Sequence, residues 1–485
     1  MASLEEIRKT RLEKLNRLKE TGMDPYPIST SIQMTLAEAE KNFNSLESSK
    51  KEVTVGGRMM SSRSQGALSF VDLYDGTVKF QALLSKDKTD QFDLFLETSD
   101  IGDFIEVNGF LFTTSRGQHT VEVKSWRMLS KSLRPLPEKW HGLQDVEERL
   151  RRRYLDILFN SEVKDLLLKK TIFWKAVRDF LIKEGFVEIE TPVLEITTGG
   201  ADAKPFKTHH NALDLEVYLR ISAGELWQKE LMVAGLPKTF EIGRIFRNEG
   251  ISAEHLQDYT QMEFYWAYAD YEKGMELVER LYKHVAEETF GTLQFQIGEH
   301  QVDLSKKWER YDYSETIKKY TDLDISSATL DEIEDKLDEL KIKYDRKGWN
   351  KARALDSIWK YCRKQLTGPG FLVGVPKEVS PLAKSDPKNP NVTARFQPII
   401  AGSELGNGYS ELNDPIEQDE RFKSQADLRK AGDEEAQMHA HEFVEALEYG
   451  MPPTCGFGMS ERLFAFLANK PVRETQIFPL LKPRE

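Results

Sequence analysis

From residue 3 to residue 21, apolar side chains recur at helical spacing (Leu4, Ile7, Leu12, Leu15, Leu18), and Asp24-Pro25-Tyr26-Pro27 ends the run. The pattern then changes to short runs of period two at 53–60, 68–74, 78–84, 104–113 and 119–129. Turn signals such as Asp75-Gly76 and Arg116-Gly117 separate them. A helical stretch near 90–97 falls between the third and fourth runs. Five strands with a helix in that place predict an OB-fold barrel, although five short strands also fit another small barrel.

Beyond the barrel, Pro135 and Pro137 mark a linker over 131–148. Residues 161–184 predict a long amphipathic helix, with Leu166, Leu167, Phe173, Ala176, Val177 and Phe180 apolar and Gly185 as its C-cap. A strand over FVEIETPVL follows, ended by Pro192. Residues 240–266 alternate on either side of a polar loop and predict a hairpin. Residues 395–415 read as a glycine-containing strand, and 456–467 as a helix opened by Gly456 and Gly458 with Arg462 one turn in. Residues 322–345 carry nine Asp/Glu against three Lys and predict an acidic surface helix.

Composition narrows the class. At 485 residues the chain is too long for one ordinary core, so two or three domains are expected. Hydrophobic content of 39% with 31% charged residues fits a globular protein. Cys362 and Cys455 are far apart, which speaks against a disulfide framework or a structural zinc and for a reducing cytoplasm. No apolar run is long enough to span a membrane, and the charged N-terminus has no signal-peptide core. The net charge of −12 argues against indiscriminate nucleic-acid binding, though not against local basic patches. Two such patches, at 1–23 and at Arg149, Arg151, Arg152 and Arg153, are solvated helix faces or RNA contacts.

The chemistry lies on three segments. In FEIGRIFRNEGISAEHLQDYTQMEFYW (240–266), period two puts Arg247 and Glu249 on one face of the first strand and Gln261, Glu263 and Tyr265 on one face of the second. A sheet face holding an arginine, a glutamine and two glutamates is costly unless those groups pair or bind a ligand. A cation beside fixed acceptors suits a ligand with a phosphate at one end and an amine at the other. In RFQPIIAGSELGNGYSELNDP (395–415), Asn407, Tyr409 and Glu411 share a face, and a bulge near Gly406 and Gly408 would return Glu404 to it. In GFGMSERLFAFL (456–467), Arg462 at a helix start favours an anion.

These three segments, after the helix–strand–proline unit, resemble motifs 1, 2 and 3 of class II aminoacyl-tRNA synthetases. FRNEGIS, AYADY, SELGNGYSELND and residues 199–222 resemble the lysyl members in particular. The resemblance implies an α+β chain: a five-stranded OB-fold barrel that binds the anticodon, then a catalytic domain on an antiparallel sheet flanked by helices. The implied organisation is an N-terminal helical extension over 1–27, the barrel over 28–135, a linker over 136–160 and the catalytic domain over 161–485, with a helical insertion at 305–370.

The same resemblance implies an ATP-dependent ligase joining L-lysine to tRNA(Lys), with Mg²⁺ on the ATP, a homodimer formed through motif 1, no membrane association and a cytoplasmic location. Arg247 would contact the α-phosphate and the amino-acid carboxylate, and Arg462 the γ-phosphate. Glu249 would read the adenine amino group, Tyr259 would stack on adenine, and His255 would lie near the triphosphate. Glu404 would hold magnesium. Glu263, Tyr265 and Glu411 would hold the side-chain amine. Glu225 and the backbone of Gly199, Gly200 and Ala201 would hold the α-amine, with Asn407 at the carboxylate and Tyr409 in the aromatic wall. In the barrel, Phe70 would stack on an anticodon base and Gln81 hydrogen-bond one. Arg63 would touch the backbone, and Glu122 or Gln118 would supply a last-strand contact; Phe70 as a core residue is the plainer alternative.

The choice of amino acid also has a physical argument. An aspartate pocket needs a cation, whereas Glu225, Glu263 and Glu411 beside Tyr265 and Tyr409 suit a long aliphatic ammonium. The sequence departs from the family pattern in three places. Gln397 stands where a second acidic metal ligand is usual, Glu254 where an arginine is usual and Leu256 where an asparagine is usual. An aspartate or asparagine ligase of the same subclass, a tRNA-binding paralogue without catalysis, and a lysine ligase acting on proteins remain the alternatives.

Overall fold

Ser3 and Glu6 form a capping box, so the first helix, α1 (Leu4–Glu20), starts where its first-turn N–H groups are satisfied. The computed structural model describes residues 3–137, 145–201, 203–250, 252, 254–344, 350–377, 383–430 and 436–484. The chain divides into two units, Met1–Phe159 and Asn160–Glu485.

In the first unit, α1 is followed by α2 (Leu36–Lys41), α3 (Phe43–Ser49), β1 (Val53–Gln65), β2 (Leu68–Tyr74), β3 (Lys79–Ser85), α4 (Phe92–Thr98), β4 (Phe104–Thr113) and β5 (His119–Ser130). The strands close into a barrel in the order β1-β2-β3-β5-β4. Val53, Val55, Val71, Leu73, Phe80, Val107 and Val121 fill it. The parallel β3–β5 pair needs a long connection, and α4 lies within it. This is the OB-fold that the alternation predicts.

Two expectations for this unit change. Helix α1 is tied to the barrel: buried Arg11 donates to the Ser132 and Arg134 carbonyls and to Ile101 O, and Lys14 pairs with Asp100 at 2.7 Å. Those two cations of the first basic patch are therefore spent within the protein. Part of the expected linker over 136–160 is helical, as α5 (Val146–Arg151) and α6 (Arg153–Phe159); residues 138–144 lie outside the described residues. Asp145 caps α5, and Arg153 makes a buried ion pair with Asp156 at 2.7 Å. Arg149, Arg151 and Arg152 pair with Asp156, Glu147 and Glu148, so the second patch has local partners too.

The second unit opens with α7 (Ser161–Lys183), which ends at Gly185 with a left-handed φ of +84°, as a C-terminal glycine should. The expected FVEIETPVL strand is broken into β6 (Val187–Glu188) and β7 (Leu194–Glu195), because Pro192 has no N–H to donate and Thr191 N–H turns to the Glu241 carboxylate at 3.1 Å. Then come β8 (Lys207–His210), β9 (Leu215–Leu219), α8 (Glu225–Val233), β10 (Lys238–Phe246), β11 (Asp258–Ala267), α9 (Tyr271–Phe290), β12 (Gln294–Ile297), β13 (His300–Asp303), β14 (Glu309–Asp312), α10 (Tyr313–Thr321), α11 (Leu330–Glu339), α12 (Lys351–Arg363), β15 (Gly370–Val373), β16 (Arg395–Ile400), β17 (Ser403–Glu404), β18 (Asn407–Ser410), α13 (Pro415–Lys430), α14 (His441–Glu448), β19 (Thr454–Ser460) and α15 (Arg462–Leu467).

The main sheet runs β14-β15-β16-β18-β19-β11-β10-β6, with β17 paired to β16. It is antiparallel except for the β14–β15 and β10–β6 pairs. Helices α7 and α9 cover one face: Phe173, Val177, Leu281 and Val285 form one core with Met262, Phe264 and Phe457 of the strands. Period two sends Gln261, Glu263 and Tyr265 to the other face. Among the described residues, the acidic stretch at 322–344 is helical over α11. Ile333 and Leu337 of that helix are buried, with Ile317 of α10 and Ile358 of α12, in a separate core. It is thus an amphipathic element rather than a purely solvated one.

Candidate active site

On the uncovered sheet face, β19 lies between two rows of polar side chains. Gly458 pairs with Glu263 on one side and Asn407 on the other; Gly456 pairs with Tyr265 and Tyr409. A Cβ at Gly456 would overlap Glu411 Oε1 and the Tyr265 ring, and at Gly458 it would meet Glu263 Cγ at 3.1 Å. These glycines therefore sit in a strand, not at a helix start as the sequence suggests, and they leave the floor of a cavity open between β11 and β18. The cavity has a volume of about 410 Å³. It is lined by Gly200, Ala201, Glu225, Glu263, Tyr265, Asn407, Tyr409 and Glu411 at one end, and by Arg247, Glu249, His255, Tyr259, Gln397, Glu404 and Arg462 elsewhere. The residues expected to hold lysine, ATP and metal thus come together in one place.

The predicted bulge is present. From Glu404 to Gly408 the chain takes four steps while its partner strand takes three, from Ile399 to Phe396. The extra residue lets Glu404 line the same cavity as Asn407. Asn407 Oδ1 accepts from Arg395 Nε at 2.8 Å. Glu404 Oε1 accepts from Trp359 Nε1 at 2.5 Å.

The acidic end is a hydrogen-bonded net. Glu263 accepts from Ala223 N–H at 2.8 Å, Gln261 at 2.5 Å and Tyr265 OH at 3.1 Å. Tyr409 OH donates to Glu225 Oε1 at 2.6 Å. Gly200 has φ +88°, and a Cβ there would meet Glu225 Oε2 and Ser222 Oγ, each at 2.8 Å. Burial and the Glu225 charge push the Glu263 carboxyl up to about 7, against its three donors. Burial likewise raises Glu411.

The cationic end differs from expectation. Strand β10 stops at Phe246, so Arg247 and Glu249 lie beyond it. Arg247 N–H still bonds Gln257 O across the hairpin, but Asn248 N–H turns away to Lys204 O at 2.7 Å. Helix α15 begins at Arg462 itself. Arg462 donates to Glu404 O at 3.2 Å and pairs with the Glu254 carboxylate. Glu254, one of the three residues that depart from the family pattern, therefore holds this guanidinium. Burial and Arg462 lower the His255 imidazole below its usual value, so the ring is neutral at pH 7.

In the barrel, Phe70 is half-buried on the outward row of β2, opposite exposed Arg63 on β1 and Leu83 on β3. It is not part of the barrel core. Gln81 accepts from Thr120 at 3.0 Å. Glu122 lies on β5 opposite Leu83 and pairs with Lys88 at 2.6 Å, whereas Gln118 is in the turn before the strand.

Residues 145–482 match the model of the class II tRNA synthetases that act with aspartate, lysine and asparagine, and residues 53–129 match the OB-fold nucleic acid binding domain. Similar proteins include the lysine–tRNA ligase of Moorella thermoacetica, 42% identical across 98% of this chain and 97% of that protein. Those of Bacillus subtilis (40%, over 98% and 97%) and Carboxydothermus hydrogenoformans (42%, over 99% and 99%) are similar to the same extent. The chain belongs to the class II lysyl-tRNA synthetases.

Sequence reasoning missed three residues that hold the side chains of this synthetase cavity in place. Arg395 and Trp359 fix Asn407 and Glu404, and nothing in their spacing marked them. Lys229, one turn beyond Glu225, is buried between Glu225 Oε1 at 2.7 Å and Glu411 Oε2 at 2.6 Å. The i,i+4 spacing from Glu225 was its signal, but such pairs are common on helix surfaces.

Proposed function

We infer that this synthetase activates L-lysine with ATP and transfers the lysyl group to the 3′ end of tRNA(Lys). The carrying observation is one cavity with a carboxylate and tyrosine end and an arginine end. In the first step a lysine carboxylate oxygen attacks the α-phosphorus of ATP. The bond to the bridging oxygen of the β-phosphate breaks, leaving lysyl-adenylate and pyrophosphate. In the second, the tRNA 3′-hydroxyl attacks the lysyl carbonyl and AMP leaves. Such transfers depend on positioning and charge stabilisation, so Arg and Glu suffice without a Ser or Cys nucleophile.

In this reading Glu263 and Glu411 hold the ε-ammonium against Tyr265 and Tyr409, and Glu225 with Gly200 and Ala201 holds the α-ammonium. Asn407 and Arg247 receive the carboxylate. Arg247 also meets the α-phosphate and Arg462 the γ-phosphate. Tyr259 stacks on adenine, Glu249 accepts from its amino group, and His255 lies beside the triphosphate. Among the described residues no group of three His, Cys, Asp or Glu is placed to hold a metal by itself. Glu404 and the Gln397 amide oxygen suit Mg²⁺ that is held mostly by the phosphates and water. When bound, the ion would neutralise phosphate charge.

Arg63, Phe70, Gln81 and Glu122 are assigned to the anticodon. A homodimer is inferred through motif 1, whose elements expose Leu168, Ile172, Val187, Val193, Leu194 and Ile196. Two free, buried cysteines suit a cytoplasmic protein; among the described residues no helix is long and apolar enough to cross a membrane. A crystal structure with lysine and ATP tests the assignment. The expected result is the ε-amine at Glu263 and Glu411 and the α-phosphate at Arg247. Lysine bound with its ε-amine elsewhere would contradict it.

A further inference from the structure

Three carboxylates crowd the acidic end, and a substrate with two ammonium groups cannot neutralise three. The fourth charge is Lys229. Its side chain is buried in α8, its Nζ bridges Glu225 Oε1 and Glu411 Oε2, and it is not among the residues that line the cavity. The Tyr265, Tyr409 and Phe443 rings enclose it, with centroids 5.9, 5.7 and 5.8 Å from Nζ. The cation therefore stands behind the carboxylates, outside the cavity lining.

We propose that Lys229 is a positioning and specificity-determining residue of the amino-acid site: it ties one oxygen of Glu225 and one of Glu411 and, once a cationic ligand has drawn all three carboxylates into the ionised form, leaves the acidic end with the charge of two that an amino acid with two ammonium groups complements. This rests on the lysine reading above. The tie has a geometric consequence at both ends. With Oε1 of Glu225 taken by Lys229 and Tyr409, Oε2 is the oxygen directed at the Gly200 backbone. With Oε2 of Glu411 in the ion pair with Lys229, Oε1 is the oxygen above Gly456. One buried cation thus aims two carboxylates at two sites for amines, at the α and ε ends of one ligand. Without it the three buried carboxylates would repel each other more strongly, and Glu263 and Glu411, already raised with the lysine in place, would hold protons to higher pH still.

The groups facing Lys229 are Glu225 on its own helix, Glu411 and Tyr409 beside β19, and Tyr265 on β11, with Glu263 next in line. Burial alone would favour the neutral amine, but Glu225 and Glu411 hold the proton more tightly than usual. Lys229 is therefore held in its charged form, and the carboxyls raised by burial are Glu263 and Glu411.

The test uses the full-length enzyme and lysine-dependent ATP–pyrophosphate exchange, measured from pH 6 to pH 9. K229M is expected to raise the KM for lysine at least tenfold, with the KM for ATP within twofold of wild type. Its lysine KM should also fall with rising pH over a range shifted upward from that of wild type, as the carboxylates ionise later. K229R, which keeps the charge, should recover most of the lysine affinity and the wild-type pH range. K229Q keeps donors without charge and serves where K229M does not fold; the same rise and the same shift are expected. A folded K229M or K229Q with lysine KM and pH profile within twofold of wild type would overturn the proposal. So would equal losses for lysine and ATP, which indicate a structural role only. No lysine-dependent exchange by the wild-type enzyme would overturn the lysine reading itself, and this inference with it.

Discussion

At the scale of single residues, the pairing of Glu254 with Arg462 is the contact most open to test. A carboxylate sits where the proposed γ-phosphate contact lies, so ATP must displace it. E254Q should lower the KM for ATP by roughly two- to fivefold, the weight of a partly exposed ion pair, with kcat for exchange little changed. A KM equal to or above wild type would show that Glu254 does not compete with the nucleotide. Residue identity was largely legible because the chemistry is written in polar residues at fixed spacing. Arg247, Glu263, Asn407, Glu411 and Arg462, drawn from the three segments, line one cavity. Lys229, Arg395 and Trp359 were not legible, because each acts by touching a neighbour distant in sequence or by an i,i+4 pair that most helices contain.

Among the elements, β19 carries the lesson. Gly456 and Gly458 preceding Arg462 resembled a helix opening, since glycine before a helix is a common anion-binding arrangement. Their real constraint is the neighbouring strands: Tyr265 and Tyr409 flank Gly456, and Glu263 and Asn407 flank Gly458. No local pattern encodes that requirement, because it comes from strand order. G456A should push Glu411 and Tyr265 out of place, an overpacking cost of about 1–3 kcal/mol. Lysine KM should rise at least tenfold while ATP KM stays within twofold; circular dichroism would verify that the variant folds. Equal losses for both substrates would mean that the strand, not the acidic end, is what the alanine disturbs. The five barrel strands were legible to within a few residues, since period-two alternation with turn signals is a local property. The 322–345 stretch was not, because its charge hid Ile333 and Leu337.

For the whole molecule, the two units allow binding and chemistry to be separated. If Phe70 stacks on an anticodon base, F70A should raise the KM for tRNA by about five- to a hundredfold, from roughly 1–3 kcal/mol of stacking per base, and leave pyrophosphate exchange unchanged. An unchanged tRNA KM would remove Phe70 from the anticodon site. In the other unit, the proposed role of the three carboxylates and the buried lysine is to make the cavity select an amino acid bearing a side-chain ammonium. The most direct measurement is ATP–pyrophosphate exchange by the full chain with lysine, aspartate and asparagine in turn. Exchange is expected with lysine, and background rates with the other two; exchange with aspartate or asparagine and none with lysine would overturn the lysine assignment.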